Sequence, residues 1–393
     1  MTDHIDTRLA HAGAAEFYRA EAPVNVPVVR TSTVRFADVE AYEAAHARRL
    51  AGENVATYGR HGLDTHRALE QAILTLEGGR RCVLAPSGLA AISLTFLALL
   101  SPGDHVVVSD SVYAPVRKLH RQMLDRLGID VSYFAAQRDD IEAMIRPNTR
   151  LLYVESPGSL LFEVLDLPRL AAIARSHGLL LAADNTWASG YLQQPLALGA
   201  DVSVLASTKY LCGHSDVMQG AVVAGNEAVA ERIVQASDAL GTAVGADDAY
   251  LTLRGMRTLA VRLAQHQRNA LSVAEFLQGH AEVAQVFYPA LASDPGHALW
   301  QRDFSGANGL LSFEFHRFDL ARAHAFVNAL RLFGIGASWG GYESLALLAP
   351  PERITAQHAW RGSRPVVRLH IGLESAADLV QDLQQAFRHA CEN

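Results

Sequence analysis

"TRLLYVESPG" (149–158), "LPRLAAIARSHG" (167–178) and "GLLLAADNTW" (178–187) follow one another as strand, helix and strand. Each outer stretch is a continuous apolar run that ends in polar residues, and the middle one carries its apolar residues at helical spacing. Apolar runs without alternation belong to strands buried on both faces, and a helical crossover between two of them makes the pair parallel. "ADVSVLASTK" (200–209) is a third such run. Toward the N-terminus, "CVLAPSG" (82–88) and a strand at about 105–109 in "PGDHVVVSD" flank the helix "LAAISLTFLALL" (89–100). "THRALEQAILTLEGG" (65–79) reads as a helix stopped by Gly78 and Gly79. The fold class expected is therefore α/β, a mostly parallel sheet flanked by helices. Ligands gather at the carboxyl ends of such strands. Ser87, Glu155, Asp184 and Lys209 all fall near predicted strand ends, so they can converge although distant in sequence.

The pattern changes near residue 247. "DAYLTLRGMRTLAVRLAQHQRNALSVAEFLQGH" (248–280) reads as helix over most of its length, with a break near Gly255. Strands "GLLSFEF" (309–315) and "PVVRLHIGL" (365–373) then alternate with helices "DLARAHAFVNALRL" (319–332) and "SAADLVQDLQQAFRHA" (375–390). We expect an α/β domain over 61–247 and a smaller α+β domain over 248–393. Residues 1–60 pair extended "APVNVPVVRTSTVRF" (22–36) with helix-like "ADVEAYEAAHARRLAG" (37–52). That segment has little apolar stripe of its own and is expected to lean on another body.

With 393 residues, half of them hydrophobic and 19% charged, the chain has the composition of a compact globular enzyme. A net charge of -7 and no run of Lys or Arg argue against nucleic acid as a partner. The longest nearly apolar run, 89–100, is too short to span a bilayer, and the N-terminus lacks the features of a signal peptide. Cys82, Cys212 and Cys391 are few, odd in number and far apart, which fits a reducing cytoplasm and no disulfide framework. The glycine patterns of dinucleotide and P-loop sites are missing, as is G-x-S-x-G. Cys212, His214 and Asp216 alternate, but no second segment offers ligands to complete a metal site, and none is expected.

Asp184 closes a strongly apolar strand, where an isolated carboxylate is costly to bury and needs a cationic partner. Lys209 stands 25 residues on, one crossover away, at the end of the next strand. In "APSGLAAIS" (85–93), Ser87 and Gly88 open a helix, whose free N–H groups and dipole favour a phosphate. A phosphate cup, a strand-end aspartate and a strand-end lysine match the needs of pyridoxal 5'-phosphate. The lysine forms a Schiff base with the aldehyde, and the aspartate keeps the ring nitrogen protonated.

From "NVATYGRHG" (54–62) to "RLHIGLE" (368–374) the chain resembles the Cys/Met-metabolism enzymes that depend on pyridoxal phosphate, of fold type I. The motifs "YGRHG", "LEGG", "VESPGS", "DNTWASG", "TKYLCGHSDV", "RGMRTLAVRL", "SWGGYESL" and "RLHIGLE" carry the resemblance, in order. It implies that Lys209 binds the cofactor and moves the substrate Cα proton, that Asp184 pairs with the pyridine nitrogen, and that Tyr113 stacks on the ring. It implies phosphate contacts from the backbone of Gly88 and Leu89 and from the hydroxyls of Ser207 and Thr208. Tyr58 and Arg60 would reach the neighbouring subunit's phosphate and substrate, making a dimer obligatory, with two dimers pairing into a tetramer. Arg368 would grip the substrate α-carboxylate as a bidentate pair. Ser338 and Trp339 would line that pocket, Trp339 with packing as its other role. His214 and Asp216 are expected to hold the loop after Lys209, and Cys212 to pack.

"ESPGS" and "SWGGYES" resemble the branch that performs β-elimination, in which cystathionine yields homocysteine, pyruvate and ammonia. Cystine or another cysteine conjugate as substrate, γ-elimination or γ-replacement, and a regulatory binder of the cofactor are the alternatives. Either Tyr113 or Lys209 would protonate the leaving sulfur. The chain departs from the pattern twice. Ala206 stands where the family often has a phosphate-binding Ser, and Ala337 stands where β-lyases carry a Tyr, a loss expected to widen or depolarise the pocket.

Overall fold

The computed structural model describes residues 3–14, 23–136, 140–358, 360, 362 and 364–392. Residues 15–22 of the expected arm lie outside them. The described strands form two sheets. The first contains β1 Arg81–Ala85, β2 His105–Ser109, β3 Asp130–Phe134, β4 Thr149–Glu155, β5 Leu180–Asp184, β6 Val202–Leu205 and β7 Gly220–Ala224, in the order β1-β7-β6-β5-β4-β2-β3. Strands β2 to β6 pair in parallel, while β7 runs antiparallel to both β6 and β1. Sequence reading did not find β7. It is a five-residue strand, Gly-Ala-Val-Val-Ala, that returns directly from the lysine loop without a helical crossover.

The cassette around β4 shows why the sheet is covered on both sides. Leu151 and Tyr153 belong to the core on one face, with Ile92 and Phe96 of helix Gly88–Leu99. Leu152 and Val154 belong to the core on the other, with Leu170 and Ile173 of helix Leu167–Ser176. Alternate residues of one apolar run thus serve two cores. Ser87 caps helix Gly88–Leu99 by accepting from the Ala90 N–H at 3.1 Å. The helix then packs against β1, β6 and β7, which places its N-terminus beside their loops.

Helices Ala246–Met256 and Leu259–Gln278 lead to the second sheet. The break expected near Gly255 falls at Arg257 and Thr258. Gly255 serves packing instead, since a Cβ there would lie 2.0 Å from the Cys212 carbonyl oxygen. The second sheet holds β8 Val283–Phe287, β9 Leu310–Phe315, β10 Gly334–Ile335, β11 Leu345–Leu348 and β12 Val366–His370, ordered β10-β11-β12-β9-β8. Phe313, Phe315, Phe326 and Phe387 fill the space between this sheet and helices Leu320–Ala329 and Ala376–Glu392. Among the described residues no helix is long and apolar enough to cross a membrane.

Candidate active site

The carboxyl ends of β4, β5 and β6 open into a cavity of about 320 Å³, closed on its far side by the second sheet. Gly88, Leu89, Tyr113, Asp184, Thr208, Lys209, Trp339 and Arg368 line it, drawn from segments more than 250 residues apart.

Asp184 ends β5 directly opposite Glu155, the last residue of β4. Its Oδ1 accepts from the Thr186 N–H at 3.0 Å and the Thr186 hydroxyl at 2.5 Å. The same Thr186 oxygen accepts from the Ala206 N–H at 2.9 Å, so one hydroxyl ties β5 to the lysine loop. The Tyr153 hydroxyl stands 3.4 Å from Oδ2. Burial pushes the carboxyl above its ordinary value, and the Thr186 donors oppose that shift. Thr186 and Tyr153 were not picked out from the sequence, whereas Glu155 was placed at a strand end that converges on the site without a role of its own. The Asp-Asn-Thr spacing, with a hydroxyl two residues after a strand-end aspartate, was the available signal for Thr186.

Lys209 follows β6 in a turn, half-buried. Its amine donates to the Ser338 hydroxyl at 2.7 Å and lies 5.0 Å from the Trp339 ring centre. Burial and the positive charge of Arg368 bring the amine down to about 8, against the pull of Asp184 and Glu155. It remains mostly protonated at neutral pH, but with a larger share of free base than an ordinary lysine. Arg368, on β12, donates through Nη2 to the Ser338 carbonyl at 2.8 Å. Its Nε is buried without a partner, and it forms no ion pair among the described residues. Burial first, then the charge of Arg353, lowers its pKa to about 10, which leaves it charged at neutral pH. The Tyr113 N–H donates to Glu155 Oε2 at 2.5 Å, which fixes the start of helix Ala114–Leu119 and sets the exposed Tyr113 ring at the cavity.

The remaining expected residues fall elsewhere. Ser207 is fully buried, its hydroxyl has no partner among the described residues, and it does not line the cavity. The Thr208 hydroxyl faces Gln219, donating to its carbonyl at 3.0 Å and accepting from its N–H at 2.9 Å. Its single proton is therefore committed. The chain leaves β6 in a turn, so adjacent hydroxyls point apart. Tyr58 and Arg60 do not line this cavity within one chain; Tyr58 is exposed, and Arg60 donates to the Asp238 carbonyl at 3.1 Å. Ser338 meets Lys209 without lining the cavity, and Ala337 is exposed outside it. Trp339 both lines the cavity and packs 5.5 Å from the Tyr210 ring. The Cys212 thiol donates to Asp216 at 3.1 Å and His214 meets the Cys212 carbonyl at 2.7 Å, all within one loop.

Pyridoxal phosphate has an aldehyde, a basic ring nitrogen and a phosphate, and the cavity offers a counterpart to each. Lys209 is an amine near neutrality, and Asp184 is a buried carboxylate with no ion-pair partner among the described residues. Ser87 caps Ala90, which leaves the Gly88 and Leu89 amides in the first turn for an anion. Gly88 is required there, because a Cβ would come 2.5 Å from the Ala206 Cβ. The residues fit the cofactor, and the fold and cavity together define a fold type I pyridoxal-phosphate enzyme.

The chain belongs to the Cys/Met metabolism PLP-dependent enzyme family, whose model matches residues 6–388. It is 56% identical over 390 residues to a cystathionine beta-lyase of Bordetella avium, covering 98% of both chains. It is 42% identical to a cystathionine beta-lyase of Escherichia coli (strain K12), again over 98% of each. Among solved structures, a cystathionine gamma synthase of Xanthomonas oryzae pv. oryzae in complex with aminoacrylate and cysteine matches with a TM-score of 0.90, 34% identity and full coverage of both chains.

Proposed function

We propose that the chain is a carbon–sulfur lyase that cleaves L-cystathionine by β-elimination, taking up water and releasing homocysteine, pyruvate and ammonia. The observation that carries the reading is that Lys209, Asp184 and Arg368 line one cavity. The Bordetella avium relative and the "ESPGS" and "SWGGYES" motifs favour β- over γ-elimination.

Pyridoxal phosphate, when bound, supplies a sink for the charge that develops at the substrate Cα. Gly88 and Leu89 hold its phosphate, Asp184 keeps its ring nitrogen protonated, and Tyr113 covers its ring. Arg368 binds the α-carboxylate with the donors that Ser338 leaves free. Lys209, brought down to about 8 so that more of it is free base near neutrality than of an ordinary lysine, removes the Cα proton within the cavity that holds Arg368. The same amine, now protonated, or the Tyr113 hydroxyl gives a proton to the departing sulfur. Tyr58 and Arg60 act in the site of a second copy, which makes the working unit a dimer, paired into a tetramer. Residues 61–247 form the cofactor domain, 248–393 the second domain, and the enzyme works in the cytoplasm.

Incubation with cystathionine tests the reading. Pyruvate, ammonia and homocysteine in equal amounts are expected, whereas 2-oxobutyrate with cysteine marks γ-cleavage and overturns it. Cystine, run in parallel, measures how strictly the cavity selects cystathionine.

A further inference from the structure

Behind the cavity lies a fully buried imidazole that the mechanism leaves unused. Arg368 and His370 lie two apart on β12, so their side chains share a face of the strand. Arg368 reaches the cavity, while His370 lies beneath the loop that carries Ser338 and Trp339. Its Nε2 is 3.2 Å from the Gly340 N–H and 3.0 Å from the Gly341 carbonyl oxygen. Whichever ring nitrogen holds the proton, Nε2 meets that peptide segment, as acceptor from Gly340 or donor to Gly341. The other nitrogen, Nδ1, lies 3.5 Å from the hydroxyl of Tyr210, the neighbour of Lys209. That hydroxyl in turn accepts from the Gly309 N–H at 3.0 Å.

The loop has little freedom to sit elsewhere and still serve the site. Gly340 has φ +92, and a Cβ on it would lie 2.8 Å from the Lys209 carbonyl carbon and the Tyr210 nitrogen. Its backbone is therefore pressed against the backbone of the lysine turn. Ser338 holds φ +77, a conformation that costs an L-residue about 1–3 kcal/mol and persists only where its surroundings impose it. Ser338 also bridges the two reactive cations, accepting from Lys209 on its hydroxyl and from Arg368 on its carbonyl. A shift of this loop thus alters the environments of both cations together.

We infer that His370 is a positioning residue, a neutral imidazole that seats the Ser338–Gly341 loop on the lysine turn and so sets both the Lys209 amine and the Arg368 fork. Burial, then His266, Arg368 and Lys209, pushes His370 down to about 3, so it stays uncharged across the working range. The inference rests on the proposed lyase reading for its kinetic consequence, but its geometric consequence can be measured apart from turnover.

The test compares His370→Gln, whose amide can reach either Gly340 or Gly341, with His370→Leu and the shorter His370→Asn. Kinetics are read on the loaded enzyme with cystathionine. Recapture of pyridoxal phosphate by the cofactor-stripped protein, followed as growth of the visible band against pH, reports the fraction of Lys209 present as free amine. Wild type is expected to recapture with a midpoint near the value of about 8 that its surroundings give Lys209. His370→Leu and His370→Asn are expected to raise KM about tenfold, as loss of a buried hydrogen bond predicts, and to move the recapture midpoint upward by about one unit. His370→Gln is expected to stay within about threefold of wild type in KM, with the midpoint unmoved.

If His370→Leu fails to fold, the contrast between Asn and Gln decides. Wild-type KM and an unmoved midpoint in folded His370→Asn overturn the inference, as does a His370→Gln no better than Asn. If wild type itself releases no pyruvate, the lyase reading fails, and the recapture midpoints still test His370.

Discussion

Arg368 shows how the chemistry depends on individual side chains. Nη2 is held by the Ser338 carbonyl, Nε is buried and unpartnered, and the planar fork between them is the shape that a carboxylate matches with two hydrogen bonds. Lysine keeps the charge and loses the fork. Arg368→Lys is therefore expected to raise KM for cystathionine about tenfold or more while kcat falls less, measured in steady state. Equal losses in kcat and kcat/KM would show instead that the guanidinium acts only in the transition state. Ala206 supports a prediction of opposite sign. It lines the cavity next to Gly88 and lacks the hydroxyl that many relatives are expected to offer a phosphate. Ala206→Ser is expected to tighten cofactor binding about three- to tenfold, read by equilibrium dialysis. The convergence of Lys209 and Asp184 on one cavity was legible in the sequence because a charged group closing an apolar strand needs a reason. Ser207 was misread because adjacent hydroxyls in "STK" do not reveal which way a turn points them, and only the buried side of that turn received Ser207.

Helices and strands were legible in proportion to their length and periodicity. The helix at 89–100 was read within a residue at each end, since its apolar run, Ser87 cap and preceding proline all agree. β10 has too few residues to show a period, and β7, though as long as β2 and β5, returns without a helical crossover to mark it and takes its place by pairing with β6 and the distant β1. Glycines mark the same limit. Gly255 resembles a helix break in sequence, yet its role is a close approach to the Cys212 carbonyl within the helix. Gly340 and Gly241 both have positive φ, but only Gly340 abuts backbone, whereas Gly241 caps helix Glu227–Leu240 with nothing within 4 Å of its missing Cβ. Gly241→Ala is expected to cost about 1 kcal/mol of stability and leave kcat unchanged. Gly340→Ala combines that strain with a backbone clash, so it is expected to displace the Trp339 loop and reduce turnover more than about a hundredfold. Thermal melts and kcat measured on both variants separate strain from clash, and equal kcat in the two would refute the distinction.

The whole molecule buries acids and histidines that titrate against folding in opposite directions. Glu77 is 1% exposed, and burial raises its carboxyl to about 7 despite a 2.8 Å hydrogen bond from Asn185. Burial likewise raises Glu163 to about 8, with no other side chain hydrogen-bonded to its carboxyl among the described residues. In the unfolded chain both ionise near pH 4.3. Between that value and their folded pKa the native state binds more protons than the unfolded one, so stability falls as pH rises toward 8. Burial holds His266 down to about 4 and His370 to about 3. Unfolded histidines take up protons below about pH 6.5, so these two remove stability as pH falls through that value. The opposing slopes overlap between roughly pH 4.5 and 6.5 and leave the acids unopposed above it. Cofactor-stripped protein at fixed concentration is therefore expected to melt highest near pH 5–6.5 and on the order of 5 °C lower at pH 8. Glu77→Gln removes one of these acidic groups while keeping an oxygen for Asn185. At pH 5, where native Glu77 is already neutral, the variant is expected to melt within about a degree of wild type; at pH 8 it should melt several degrees higher. Scanning calorimetry at both pH values decides it, since an offset that does not change with pH would mean that Glu77 does not titrate inside the fold.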